Sequence, residues 1–242
     1  MFEFMFQIVS LLSSQGKSVA VLMLSYDLAP TAVYPRQLQQ AAMLLNHVFK
    51  NLKIAPSNII LTGDSAGANL SIALLSHISH PHPSTTLSIP KIEIQENFRA
   101  AVLISPWVSF DTSDDSFARN ANKDCIGTVA GKQWSTAWLG EAWPHTQISD
   151  NYNQGITAPA SWWKDLRVEK VLLVGGDEEV LIDGIKKFAG QLIASLGPDK
   201  VELVVIPGEY HDQPNIDLQF GYKEKDEGQQ AKLIKHWIGS KL

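Results

Sequence analysis

Asn58 to Leu75 reads NIILTGDSAGANLSIALL, and the character of the chain changes twice within it. Asn58 to Thr62 is a short β-branched run of the buried-strand type, Gly63-Asp64-Ser65-Ala66-Gly67 reads as a turn, and Ala68 onward has helical periodicity. Ser65 therefore sits where a strand hands over to a helix. A G-x-S-x-G turn in that setting holds its serine in a strained backbone conformation with the hydroxyl exposed. A Cβ at either glycine is expected to collide with the neighbouring strand or helix. The bare pattern arises by chance at about 0.0003 per position, so the strand before it and the helix after it carry the reading. The plainer alternative is a serine that only caps a helix.

Working outward, Met1 to Leu12 (MFEFMFQIVSLL) lacks the basic start of a signal peptide and has Glu3 and Gln7 in helical register, so an amphipathic helix is expected. Gly16 ends it. Ser18 to Ser25 (SVAVLMLS) is almost wholly apolar, which predicts a strand covered on both faces of a parallel sheet. Tyr26 to Arg36 carries two prolines and is a loop; Gln37 to Leu52 returns to a helical period with Ala41, Leu44, Leu45 and Val48 on one face. His80 to Pro90 is a proline- and serine-rich loop whose histidines are expected to be solvated. Arg99 to Ser105, Lys170 to Gly175 and Val201 to Pro207 are the remaining strands, each followed by loop and helix. Strands alternating with helices predict an α/β fold, a doubly wound and mostly parallel sheet, in a single domain over residues 1–242.

Residues 107–163 show no strand pattern and are too long for a simple connection, so a lid or cap insertion is expected. Six of the seven tryptophans fall there: Trp107, Trp134, Trp138, Trp143, Trp162 and Trp163. Trp134 and Trp138, four apart, share a helical face. They either pack the insertion onto the main domain or, with Trp107, line an apolar substrate pocket.

The 242 residues, 45% hydrophobic and 19% charged, suffice for one substantial core. A net charge of -5 with dispersed basic residues leaves no footprint for nucleic acid, and no apolar stretch is long enough to span a bilayer. Cys125 is the only cysteine, which excludes an intrachain disulfide, and no spacing suggests a metal. With no signal or spanning segment, a cytoplasmic location is the expectation.

In open α/β sheets, reactive groups gather beyond the carboxyl ends of the strands. The loop after the last strand, Gly208-Glu209-Tyr210-His211-Asp212, supplies His211 as the candidate base. His47, His77, His145 and His236 suit structural or solvated roles better. After Val171 to Gly176 comes Asp177-Glu178-Glu179, where a carboxylate to orient the imidazole is expected. The order serine, acid, histidine is the one this architecture uses.

GDSAGANL, YDLAP, the acidic loop ending in Leu181 and Asp183, and the late histidine together resemble the hormone-sensitive-lipase-like branch of the α/β-hydrolases, from about Val19 to the C-terminus. ISPWVSF, the paired tryptophans and GGDEEVLID look most like fungal relatives of steryl acetyl hydrolases. In this branch the acid is commonly written D-x-L-x-D; Glu179, Leu181 and Asp183 match that register, so the resemblance assigns the acid to Glu179, with Asp177 as rival. It implies a serine carboxylic-ester hydrolase acting on small or acetylated lipophilic esters without a cofactor, with the Ala66 N–H as one oxyanion donor. The family's His-Gly-Gly-Gly loop, upstream of YDLAP, has no counterpart before Tyr26, and the strand leading into it is likewise expected to be missing. A poor esterase is therefore expected. The slot between Ser18–Ser25 and Asn58–Thr62 either closes by direct pairing or stays open, inviting self-association. The alternative function is a non-catalytic ligand- or partner-binding protein on the same fold.

Overall fold

The computed structural model describes residues 2–142 and 150–242; Trp143 and His145 lie outside them. Helices α1 (Phe2–Ser14) and α2 (Arg36–Lys50) precede strand β1 (Ile60–Asp64), helix α3 (Ala66–Ser79) and strand β2 (Ala100–Ile104). Two short helices follow, α4 (Asp115–Arg119) and α5 (Thr128–Leu139), then β3 (Val171–Gly176), α6 (Ile182–Leu196), β4 (Val201–Ile206), α7 (Gln213–Gln219) and α8 (Gln229–Ser240).

The four strands are parallel, in the order β1-β2-β3-β4, with Val102 beside both Thr62 and Leu172. Because side chains alternate across a strand, the apolar runs serve two cores at once. Ala101, Leu103, Val171, Leu173 and Val201 face one core with Leu38 and Leu45 of α2, Ile72 of α3 and Phe188 of α6. Ala100, Val102, Ile104, Leu172 and Val174 face the other, with Phe4, Ile8 and Leu12 of α1 and Ile234 and Trp237 of α8. Fully burying a leucine such as Leu172 or Leu173 contributes about 1.5–3 kcal/mol, and this double lining fixes the register of the central strands.

Helix α1 has the expected amphipathic face, burying Phe4, Met5, Ile8 and Leu12. Ser18–Ser25 departs from expectation: it forms no strand, and Leu22 is 58% exposed. An apolar run becomes a strand only where a neighbouring backbone accepts its hydrogen bonds. Among the described residues β1 pairs with β2 alone, so the direct closure of Ser18–Ser25 onto β1 does not occur. Val19 and Leu24 still pack against opposite cores, as opposite parity in an extended segment allows.

The loop histidines also depart from expectation. The His82 Nδ1 accepts the Ser84 N–H, which leaves Nε2–H to donate to the Tyr34 hydroxyl at 2.7 Å. That hydroxyl in turn donates to Asp150. His80 stacks on Trp162 with ring centroids 3.9 Å apart. The loop is folded against the 107–163 segment rather than solvated.

Hydrogen exchange should resolve the two kinds of apolar run: amides of Ser18–Ser25 should exchange within the fastest class, and those of Val102–Ile104 and Leu172–Val174 in the slowest. Protection of Val19–Leu24 comparable to β2 would contradict this account.

Candidate active site

At the carboxyl end of β1 the chain turns at Ser65, whose φ of 48° and ψ of -111° lie far from both strand and helix. Its N–H donates to the Ile104 carbonyl, and its own carbonyl accepts from Trp107 N, so the elbow is tied to the end of β2 on both sides. A Cβ on Gly63 would stand 2.3 Å from the Gly67 backbone; only glycine fits. Gly67 differs from expectation, because a Cβ there would meet only the Asp64 carboxylate, at 3.3 Å. Ala66 opens α3, so its N–H has no acceptor within the helix.

Ser65 borders a narrow cleft with a cavity volume of about 10 Å³. Trp107, Phe110, Ile126, Trp134 and Leu181 give it an apolar wall, and Gly127 and Gly131 of the α5 region border it. Trp107 and Trp134 border this cleft. Trp138 does not border the cleft: it packs edge-on against Tyr34 and Phe110, and its indole N–H donates to Gln37 of α2. The later part of the 107–163 segment enters the main core, where Trp163 is wholly buried against Phe188.

The loops after β3 and β4 meet at Glu179 and His211. The Glu179 side chain is fully buried, and its Oε2 lies 3.2 Å from His211 Nδ1. Its Oε1 accepts the Gly176 N–H at 2.6 Å and the Ser105 hydroxyl at 2.7 Å. Burial alone would lower the His211 pKa, but the Glu179 carboxylate outweighs it and holds the imidazole above the ordinary histidine value. Asp177 has another task, accepting the Gly208 N–H at 2.7 Å in the turn after β4. Gly176 is fixed by the same convergence, since a Cβ there would lie 1.8 Å from the Glu209 carbonyl oxygen.

Ser65 is joined to this pair through shared neighbours. Asn215 Nδ2 donates to Asp64 Oδ2 at 3.1 Å and to Asp212 Oδ1 at 2.5 Å, linking the residues beside Ser65 and His211. Asp124, from the segment after β2, accepts the N–H groups of His211 and Val180. Ser105, Asp124, Asp212 and Asn215 were not among the expected site residues. Ser105 ends the third apolar run at the carboxyl end of its strand, the place where reactive groups were sought, and Asp212 is adjacent to the histidine. Among the described residues, no group of three His, Cys, Asp or Glu side chains is placed to hold a metal ion.

A family model described as the alpha/beta hydrolase fold matches residues 7–214. The chain belongs to the alpha/beta hydrolase fold family. An esterase of Acinetobacter venetianus is 26% identical over 172 residues, covering 69% of this chain and 49% of the relative; the chain spans about half that protein's length. Among solved structures, carboxyl esterase 2 of the mycorrhizal fungus Tuber melanosporum superposes with a TM-score of 0.72 at 20% identity, covering 98% of this chain and 71% of that one. An esterase from the bacterial hormone-sensitive lipase family gives 0.67 at 22% identity, covering 90% and 63%. These superpositions show the same fold.

Two predictions follow from this α/β-hydrolase site. Gly63→Ala should destabilise by about 3 kcal/mol or more, since backbone must move, whereas Gly67→Ala should cost about 1 kcal/mol or less because a side chain can give way. Thermal melts of the two variants check the contrast, and equal losses would refute it.

The second concerns Asp212. Burial first, then the Asp64 carboxylate, pushes Asp212 up to about 8, with His211 acting the other way. Tyr26, near Asp64, is itself held above the ordinary phenol value by burial and by that carboxylate. The folded chain therefore holds the Asp212 proton more tightly than the unfolded chain. That contribution to stability is complete below about pH 4 and is lost as pH rises through about 8. Asp212→Asn should flatten the stability profile across that window, measured by urea unfolding; profiles that differ only by a constant offset would refute the assignment.

Proposed function

We propose that this chain is a serine carboxylic-ester hydrolase with Ser65 as nucleophile, His211 as general base and Glu179 as the orienting acid. The observation that carries the reading is the buried Glu179–His211 pair, tied to the strand ends that hold Ser65 at the mouth of an apolar cleft. With Nδ1–H donated to Glu179, the His211 Nε2 is the nitrogen free to take the Ser65 proton. The serine oxygen then adds to the ester carbonyl, and the Ala66 N–H faces the developing oxyanion. Collapse expels the alcohol, protonated by His211, and water releases the acid by the same steps in reverse. Glu179 stabilises the imidazolium without taking its proton.

The esterase name of the Acinetobacter relative supports this chemistry. The aromatic and aliphatic wall of Trp107, Phe110, Trp134 and Leu181 favours small or acetylated lipophilic esters, with the 107–163 segment serving as lid. Among the described residues, no charged side chain borders the cleft to bind an ionic group.

A fluorophosphonate probe should label the purified chain at one residue, and Ser65→Ala should abolish labelling. Glu179→Gln should slow it about a hundredfold or more, while Asp177→Asn should leave it within about threefold. Because His211 titrates above its ordinary value and must be neutral to act, the rate should fall with acidification from a midpoint above about pH 6.5. Labelling that survives Ser65→Ala would refute the nucleophile. A chain that resists the probe altogether would instead be a ligand-binding protein on this fold.

A further inference from the structure

Ser105 is the first residue after β2 and is fully buried, yet it has a φ of 45°, a conformation that side-chain-bearing residues rarely adopt. Its backbone N–H continues the ladder to Val174, while its hydroxyl leaves the strand direction and serves two loops. The hydroxyl donates to Glu179 Oε1 at 2.7 Å and accepts the N–H of Asp212, the residue after His211, at 3.0 Å. On either side of Ser105, Ile104 O and Trp107 N are both bonded to Ser65. One short segment therefore touches all three loops, at the nucleophile, at the acid and beside the base.

We propose that Ser105 is a positioning residue, whose single hydroxyl keeps the Glu179 carboxylate and the His211 loop in register with the Ser65 elbow. It acts through Glu179 and Asp212 and does not itself touch the substrate. The inference rests on the reading of Ser65, Glu179 and His211 as a triad. Without the hydroxyl, Glu179 Oε1 keeps only the Gly176 N–H, and the buried Asp212 N–H loses its acceptor. A carboxylate with fewer donors attracts the imidazolium more strongly. The other carboxyl groups that bear on His211 are those of Asp212 and Asp124; Ser105 meets Asp212 through its backbone N–H and not through its carboxyl.

The test compares Ser105→Ala with Ser105→Gly in the full chain. Glycine removes the hydroxyl and also tolerates the positive φ, so it keeps the test open if alanine fails to fold. Two quantities are measured: the His211 titration midpoint by NMR of its ring Cε1–H, which needs no turnover, and the rate of fluorophosphonate labelling at saturating probe. The expected result in either folded variant is a midpoint raised by about half a unit or more and labelling slowed about tenfold, with the probe concentration for half-maximal rate unchanged. A residue that only stabilised the fold would lower the melting temperature and leave both quantities alone. A folded Ser105→Gly chain with the wild-type midpoint and labelling rate would overturn the proposal. A shifted midpoint in a chain whose wild type is never labelled would support the Ser105 link while overturning the ester-hydrolase reading, so the two failures are distinct.

Discussion

Glu179 is an ionisable side chain with no access to water, and the carboxyl end of the sheet is arranged around that fact. A buried carboxylate is tolerated only where donors replace its lost hydration. Its three partners come from three places: the Gly176 N–H at the end of β3, the Ser105 hydroxyl at the end of β2, and the imidazole on the loop after β4. None can shift alone without leaving the charge short of a partner. The close approach of Gly176 to the Glu209 carbonyl oxygen belongs to the same constraint, because it lets the last loop come near enough for His211 to reach the acid. Parallel strands in matched register bring these ends to one level, and the two apolar cores hold them there.

Strain is concentrated in the same place. Of the four non-glycine residues with positive φ among those described, Ser65, Ser105 and Asp212 lie at the site, and only Lys53 lies elsewhere. Each such residue costs about 1–3 kcal/mol and persists only where its surroundings over-determine it. Ser65 is held by backbone bonds to Ile104 and Trp107, Ser105 by Val174 and Glu179, and Asp212 by the Ser105 hydroxyl and the Asn215 amide. The bonds that retain the strain are the bonds that join the loops. Rigidity of the reactive groups and burial of the acid are therefore one arrangement.

What was legible in the sequence follows from which interactions are local. The strand, turn and helix around Ser65 are set by neighbours in the chain, so periodicity and glycine placement reveal them. Glu179 was separable from Asp177 only through the register of Leu181 and Asp183 in a resembling family; composition alone left two carboxylates side by side. Ser18–Ser25 misled because apolar character reports burial potential, whereas a strand needs a partner backbone, which no local pattern encodes. The loop histidines misled for the opposite reason, since prolines and serines signal a loop and say nothing about whether Tyr34 and Asp150 wait beside it. Ser105 and Asn215 were invisible as site residues because their roles exist only across separations of 74 and 151 positions.

The cleft wall contrasts with the reactive groups. Trp107 is buried and edge-packed on Phe110, but Trp134 is half exposed. The same helix, α5, carries Gly131, whose added Cβ would meet nothing nearer than Thr112 at 3.9 Å. A glycine inside a helix costs about 1 kcal/mol relative to alanine. Here close packing does not demand it, and a methyl group could be added beside the cleft without a clash. The loops that carry Ser65, Glu179 and His211 are thus over-determined, while the cleft wall at Gly131 and Trp134 is less tightly packed. Substitution has an easy route through α5 and a difficult one through the Ser65, Glu179 and His211 loops. In the first case a side chain grows into space; in the second a buried charge, a strained backbone and two strand ends must all be re-satisfied together.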